Sequence, residues 1–92
     1  MIRSIRDQDT FELWQTGTNR RFAAIAKAAL RKLDQLDASV ALEDMRAPPD
    51  NRLEKLKGDR EGQWSVRIND QWRLCFRFED GDAWDVEIVD YH

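Results

Sequence analysis

The sequence predicts a small α+β domain, helical in its first half and an antiparallel meander in its second, on three observations. Between Asn19 and Asp37 the apolar residues Phe22, Ile25, Ala26, Ala29, Leu30, Leu33 and Leu36 recur at spacings of three and four, which places them on one face of a helix. From Gly62 onward the period changes to two, through Trp64, Val66 and Ile68, then Trp72, Leu74, Phe76 and Phe78, then Trp84, Val86 and Ile88. That alternation marks three half-buried strands. A length of 92 residues suffices for one hydrophobic core and not two, so residues 1–92 read as a single domain.

The elements follow in order. Met1 to Ile5 has β-compatible residues and reads as an edge strand. Asp9, three positions before Glu12, reads as the N-cap of a short helix with a capping-box partner, which Gly17 ends. The long helix runs from Asn19 to near Asp37, with Arg21, Lys27, Arg31 and Lys32 on its polar side. A brief helical turn is expected around Leu42 to Met45. Pro48, Pro49, Asp50 and Asn51 are turn chemistry that stops it. Asn69-Asp70 and the Glu79 to Ala83 segment, with its Asp80-Gly81 pair, turn the chain between strands.

Parity fixes the register, because apolar residues that share a face must be opposed at positions with an even sum. The first hairpin then sets Ile68 against Trp72, Val66 against Leu74 and Trp64 against Phe76, with a three-residue loop at 69–71. The same rule in the second gives Phe78 against Trp84, Phe76 against Val86 and Leu74 against Ile88, with Arg77 facing Asp85 on the outer side.

Composition bounds the function. Four Trp and four Phe among 41% hydrophobic residues supply a core despite a mean hydropathy of −0.76, which excludes a disordered chain. A single cysteine, Cys75, rules out a disulfide framework and fits a reducing compartment. No apolar run approaches the roughly 20 residues of a membrane span, and no apolar segment follows Arg3 and Arg6 as a secretory signal would require. A soluble cytoplasmic protein is expected. The formal net charge of −3 argues against a simple basic nucleic-acid binder, yet it hides an asymmetry. Residues 1–50 carry 8 basic and 8 acidic groups, residues 51–78 carry 7 and 4, and residues 79–92 carry none and 6.

The odd-numbered sheet face gathers the candidate chemistry. The register sets Arg67 directly across from Arg73, and Arg73 across from Val89, with Tyr91 diagonal to it. Directly opposed like charges repel, so the two guanidinium groups either splay into water or hold an anion between them. Tyr91 and His92 are the only Tyr and His, and Arg, Tyr and His are the residue types that bind a phosphodiester, stack on a base and move a proton. The segment Leu56-Lys57-Gly58-Asp59-Arg60-Glu61-Gly62 is a glycine-flanked basic loop whose order and spacing differ from a phosphate-binding Walker loop. One Cys and one His make no zinc-ligand set, and Gly-x-Gly-x-x-Gly and Gly-x-Ser-x-Gly do not occur, so no metal or cofactor is expected. Cys75, between Leu74 and Phe76, reads as a packed or edge thiol rather than a nucleophile.

The order Leu53, Leu56-Lys57-Gly58, Gly62-x-Trp64-Ser65-Val66, Trp72-Arg73-Leu74-x-Phe76, Gly81-Asp82-Ala83 and Asp90-Tyr91-His92 resembles the HigB-type toxins of bacterial toxin–antitoxin modules, within the RelE superfamily. The resemblance covers the whole chain. It implies a small fold with helices packed on one face of a twisted, mainly antiparallel sheet. It also implies a metal-independent endoribonuclease that cuts mRNA in the ribosomal A site and stops translation. The partner implied is a HigA-type helix-turn-helix antitoxin, through which alone the toxin would meet operator DNA. On this reading Arg73, with Arg67, Lys57 and Arg60, clamps the phosphate, Tyr91 orients or stacks on the nucleotide, His92 protonates the leaving 5′-oxygen, and Asp90 orients His92 or shapes the C-terminus. Where several family members carry a His before Pro-Leu-Lys-Gly, this chain has Leu53-Glu54-Lys55-Leu56-Lys57-Gly58. Glu54 thus stands in the place of the catalytic imidazole. Other branches of the superfamily are similar in using Glu as the base, although Lys55, Lys57 and the arginines nearby would weaken it in that role. Two alternatives remain open at this point: a ParE-like gyrase poison on the same fold, and an interaction module whose basic sheet face holds an acidic partner.

Overall fold

A computed structural model of the chain describes residues 1–90. Two helices, α1 (Gln8–Thr16) and α2 (Ala26–Ala38), precede four strands: β1 (Glu54–Lys55), β2 (Trp64–Arg67), β3 (Trp72–Glu79) and β4 (Asp82–Asp90). The strands form one antiparallel sheet in the order β1-β2-β3-β4. The helices pack against the even-numbered face. Leu13, Phe22, Ile25, Ala29, Leu33 and Leu36 meet Val66, Ile68, Leu74, Phe76, Val86 and Ile88 in one core. Phe22, fully buried, meets Trp72 edge to face with ring centroids 5.4 Å apart, a geometry that adds about 0.5–1.5 kcal/mol to simple burial.

The N-terminal segment follows the free side of β4 in parallel, through isolated pairings of Ile2 with Ala83 and Ile5 with Val86. It shields the sheet edge without becoming a full strand. The cap of α1 is Asp7 rather than the expected Asp9: Asp7 Oδ2 accepts from the Thr10 amide at 3.0 Å. Asp9 instead accepts from Asn19 Nδ2 and pairs with Arg21, because the chain doubles back across α1 at Gly17, whose φ of 82° closes the helix. The long helix starts later than its periodicity suggests. Residues 21–25 form turns, anchored by Asn19 Oδ1 accepting from the Phe22 amide, so Phe22 and Ile25 reach the core from outside regular helix. Helical turns at Leu42–Arg46 and Pro49–Asn51 occupy the places expected for a turn and a stop.

The first hairpin has the expected register, with Trp64 opposite Phe76, Val66 opposite Leu74 and Arg67 opposite Arg73. The second departs from it. Asp80 and Gly81 both have positive φ, 52° and 81°, and close a two-residue turn that sets Glu79 opposite Asp82, an odd sum. Further along, Leu74 opposes Ile88 as expected, an even sum, so one residue must be absorbed between. A bulge opposite the Cys75–Arg77 stretch does this, with Asp85 at φ 52°. The expected Phe78–Trp84 pairing is therefore corrected, while the expected Phe76–Val86 pair falls at the bulge itself, between the Cys75–Glu87 and Arg77–Trp84 pairs. Phe78 opposes Ala83 and Arg77 opposes Trp84, so the fully buried Ala83 takes the core position while Trp84, 38% exposed, turns outward. Arg77 still reaches Asp85, Nε to Oδ2 at 3.5 Å.

The odd-numbered face is not the open polar surface that alternation suggests. Residues 51–63 fold across it as a strap containing β1. Leu56 and Cys75 are buried apart from the main core, and Ser65 is fully enclosed. Strap residue Arg60 pairs with Glu87 of β4 at 3.0 Å. A β-carbon on Gly62 would meet Arg77 Nη1 at 2.6 Å, so glycine lets this guanidinium lie against the strap.

Candidate functional site

Beneath the strap lies Arg73, a guanidinium with only 11% of its side chain exposed. Burying such a charge costs several kcal/mol unless it is both paired and hydrogen-bonded. Here Nε donates to Ser65 Oγ at 2.8 Å, and Nη2 donates to the Arg52 carbonyl at 2.8 Å and the Ser65 carbonyl at 3.4 Å. The same Nη2 stands 3.3 Å from Glu54 Oε2. Glu54 reaches it because β1 pairs with β2 at Glu54 opposite Ser65. Its side chain is 58% exposed, so the pair joins a buried cation to an anion on a solvent-facing side chain. An exposed carboxylate held against a rigid, buried guanidinium is an arrangement that can accept a proton beside a site that stabilises anionic charge.

Arg67 lies opposite Arg73, but the guanidinium groups diverge. Arg73 leans along the strands toward Ser65, whereas Arg67 turns to the hairpin and pairs with Asp70. Splaying relieves the repulsion of two opposed cations. The Arg67 hydrogen bond holds the Asp70 carboxyl below its ordinary range, with the charges of Arg67 and Arg52 adding to it.

The other residues singled out in the sequence scatter around this centre. Lys57 is exposed on the strap, just before the Gly58–Arg60 turn. Arg60 is tied to Glu87 and Gln63. Asp90 lies opposite Trp72 on the even-numbered side and accepts from Gln71 Nε2 at 3.1 Å. Tyr91 and His92 lie outside the described residues. The structure thus brings Glu54, Arg73 and Arg67 together on one face.

Several contributors escaped the sequence reading. Ser65 and the Arg52 carbonyl hold Arg73, and Asn51 and Lys32 stand behind them. Lys32 Nζ donates to Asn51 Oδ1. Burial pushes the Lys32 amine below the ordinary lysine range, helped by the charges of Arg31 and Arg67 and opposed by Asp50. The only advance sign was compositional: a serine and a cysteine at odd positions 65 and 75, small residues where something packs closely above the sheet. A cavity of about 460 Å³ lies elsewhere, between the end of α1 and the start of α2, lined by Glu12, Thr18, Asn19 and Arg20 among others. None of the residues around Arg73 reaches it.

The architecture is that of the small α+β toxins of toxin–antitoxin systems. It superposes on a chain of the YoeB–YefM toxin–antitoxin complex from Staphylococcus aureus with a TM-score of 0.63, at 23% identity, covering 100% of this chain and 98% of that one. A YoeB/ParE toxin from Agrobacterium tumefaciens gives a TM-score of 0.56 at 21% identity, with 99% and 100% covered. Sequence narrows the class: residues 4–92 match the HigB-like toxins, described as the RelE-like toxin of the type II toxin–antitoxin system HigB, and the chain belongs to that family. Toxin HigB-1 of Vibrio cholerae is 48% identical over 61 residues, 66% of this chain and 64% of that protein. Endoribonuclease HigB of Proteus vulgaris is 49% identical over 41 residues, 45% of each. The matched segments thus span between about half and two thirds of these relatives' lengths. No helix among the described residues is long and apolar enough to cross a membrane.

Proposed function

We propose that this chain is a single-domain toxin that cleaves mRNA on the ribosome without a metal, stops translation in the cytoplasm, and is neutralised by a HigA-type helix-turn-helix antitoxin. The observation that carries the reading is the Glu54–Arg73 pair. In metal-free RNA cleavage the substrate's 2′-hydroxyl attacks the adjacent phosphorus, so the protein must take one proton, give another, and stabilise charge on the phosphorane. Glu54 takes the 2′-hydroxyl proton. Arg73, with Arg67, Lys57 and Arg60 around it, meets the phosphorane charge. His92 gives its proton to the departing 5′-oxygen, Tyr91 orients the nucleotide, and Asp90 orients His92. Membership of the HigB-like toxins and the name of the Proteus relative support this chemistry.

Dependence on the ribosome follows from charge. Residues 79–92 carry six acidic groups and no basic one, and Asp82, Asp85 and Glu87 neutralise Arg3, Arg77 and Arg60, so little net positive charge remains there to draw free RNA to the protein. The test compares cleavage of one mRNA, naked and in a reconstituted translation reaction, by wild type, Glu54→Gln and His92→Ala. Wild type is expected to cut the translated message efficiently and the naked one poorly, with both variants slowed at least tenfold. Efficient digestion of naked RNA would overturn the ribosome dependence. Full activity of Glu54→Gln would remove Glu54 as the base.

A further inference from the structure

We propose that Asn51 is a positioning residue for the Glu54–Arg73 pair, linking Lys32 and Gln35 of α2 through the Pro49–Asn51 turn to the carbonyl and carboxylate that hold Arg73. This inference rests on the cleavage reading above, in that it names what keeps that site in its working geometry.

Asn51 is fully buried, although its neighbours Asp50 and Arg52 are exposed. A buried amide must be hydrogen-bonded on both its oxygen and its nitrogen, and this one is. Its Oδ1 accepts from Lys32 Nζ. Its Nδ2 faces three acceptors, Gln35 Oε1 at 3.2 Å, the Met45 carbonyl at 3.0 Å and the Ala47 carbonyl at 3.2 Å. One side chain therefore joins α2, the Leu42–Arg46 turn and the start of the strap.

The next residue shows what this hub accomplishes. Arg52 has φ 45° and ψ 57°, a left-handed conformation that an L side chain disfavours. It is held at both ends, by its amide, which donates to the Pro49 carbonyl at 3.1 Å within the turn that the Asn51 side chain anchors, and by its own carbonyl, which accepts from Arg73 Nη2 at 2.8 Å. Two residues further on, Glu54 pairs with Ser65 and faces the same Arg73 nitrogen. Were Asn51 released, Arg52 would relax to negative φ, its carbonyl would turn from Arg73, and Glu54 would lose its fixed origin. Asn51 touches neither Arg73 nor Glu54 through its side chain in any of these bonds, so its effect on the site is exerted through the backbone of residues 51–54.

The test reads the site directly. Hydrogen exchange of the Arg73 Nε–H, which donates to Ser65 Oγ, is followed by NMR and assigned with Arg73→Lys, alongside kcat and KM for cleavage in the reconstituted translation reaction. Asn51→Ala is expected to speed this exchange at least tenfold and to lower kcat at least tenfold with KM changed less than twofold. Lys32→Met, on a half-exposed helix position, is expected to move both in the same direction by at least threefold, and it decides the question if Asn51→Ala does not fold. Leu36→Val, a loss confined to the apolar core, is expected to leave the Arg73 exchange unchanged. Unaltered Arg73 exchange in the folded Asn51 or Lys32 variant, or equal acceleration in Leu36→Val, overturns the proposal. If wild type cuts no RNA, the cleavage reading fails by itself, and the exchange measurement alone still decides whether Asn51 positions Arg73.

Discussion

Truncating Arg73 to alanine should destabilise the protein as well as silence it. The variant leaves Ser65 Oγ and the Arg52 carbonyl without the donors that now reach them at 2.8 Å, and leaves Glu54 without its cation. Hydrogen bonds to a charged donor contribute about 1.5–3 kcal/mol each, and stranded buried acceptors add a desolvation cost. The pair with Glu54 adds little, since that side chain is 58% exposed and its charge is screened by solvent. A net loss of about 2–4 kcal/mol follows, against a total of roughly 5–14 kcal/mol for a domain of this size. At about 4–8 °C per kcal/mol, the melting temperature should fall by about 8–32 °C. Urea denaturation of wild type, Arg73→Ala and Glu54→Gln checks this, with Glu54→Gln expected within about 0.5 kcal/mol of wild type. Arg73→Ala unfolding within about 0.5 kcal/mol of wild type would refute the claim that Arg73 is a structural anchor. The practical consequence is that loss of toxicity in Arg73→Ala is ambiguous, whereas in Glu54→Gln it reports on chemistry.

Three further outcomes are expected. Asp7→Ala should cost about 1 kcal/mol by removing the cap of α1, and Asp9→Ala about half as much, in thermal melts; the reverse order would restore Asp9 as the cap. Burial pushes the Cys75 thiol above its ordinary range, with Glu87 adding and Arg60 and Arg73 opposing, so alkylation at pH 8 should proceed only as fast as the protein opens, and labelling at the rate of a free thiol would place Cys75 at the surface. The hydrogen bond from Arg3 holds the Asp82 carboxyl below the ordinary carboxylate range. A depressed carboxylate stabilises the fold above its ordinary pKa and loses that contribution as pH falls through the folded value. In an NMR titration, Arg3→Ala should return Asp82 toward the ordinary range, and an unmoved midpoint would exclude Arg3 as the cause.

How much was legible in the sequence differed from element to element, for physical reasons. The first hairpin followed from parity, because Val66, Ile68, Trp72 and Leu74 allow only one shared face and the 69–71 loop adds no irregularity. The second hairpin obeyed the same rule only from Cys75 and Glu87 onward. Its failure traces to Asp85, whose left-handed backbone leaves no mark as plain as glycine. The caps were misread by two residues because Asp7 and Asp9 are both good capping residues, and a tertiary contact with Asn19 and Arg21 chose between them. The candidate site divided similarly. The facing of Arg67 and Arg73 was readable from register, and the family resemblance singled out Glu54. The covering strap was not readable, because a two-residue strand and two short turns carry no periodicity. Nor was the burial of Arg73, which depends on Ser65 and the Arg52 carbonyl, contacts made across 8 and 21 residues of chain.

The central claim is that this toxin acts by cutting translated mRNA through the Glu54–Arg73 face. Its most direct test is mapping of mRNA 5′ ends after brief induction of wild type and Glu54→Gln in bacteria lacking the antitoxin, with equal soluble levels of the two proteins verified. The account predicts growth arrest with new ends inside reading frames for wild type, and neither for Glu54→Gln. Growth arrest without new RNA ends would contradict it and point to a non-nucleolytic target, such as that of a gyrase poison on the same fold.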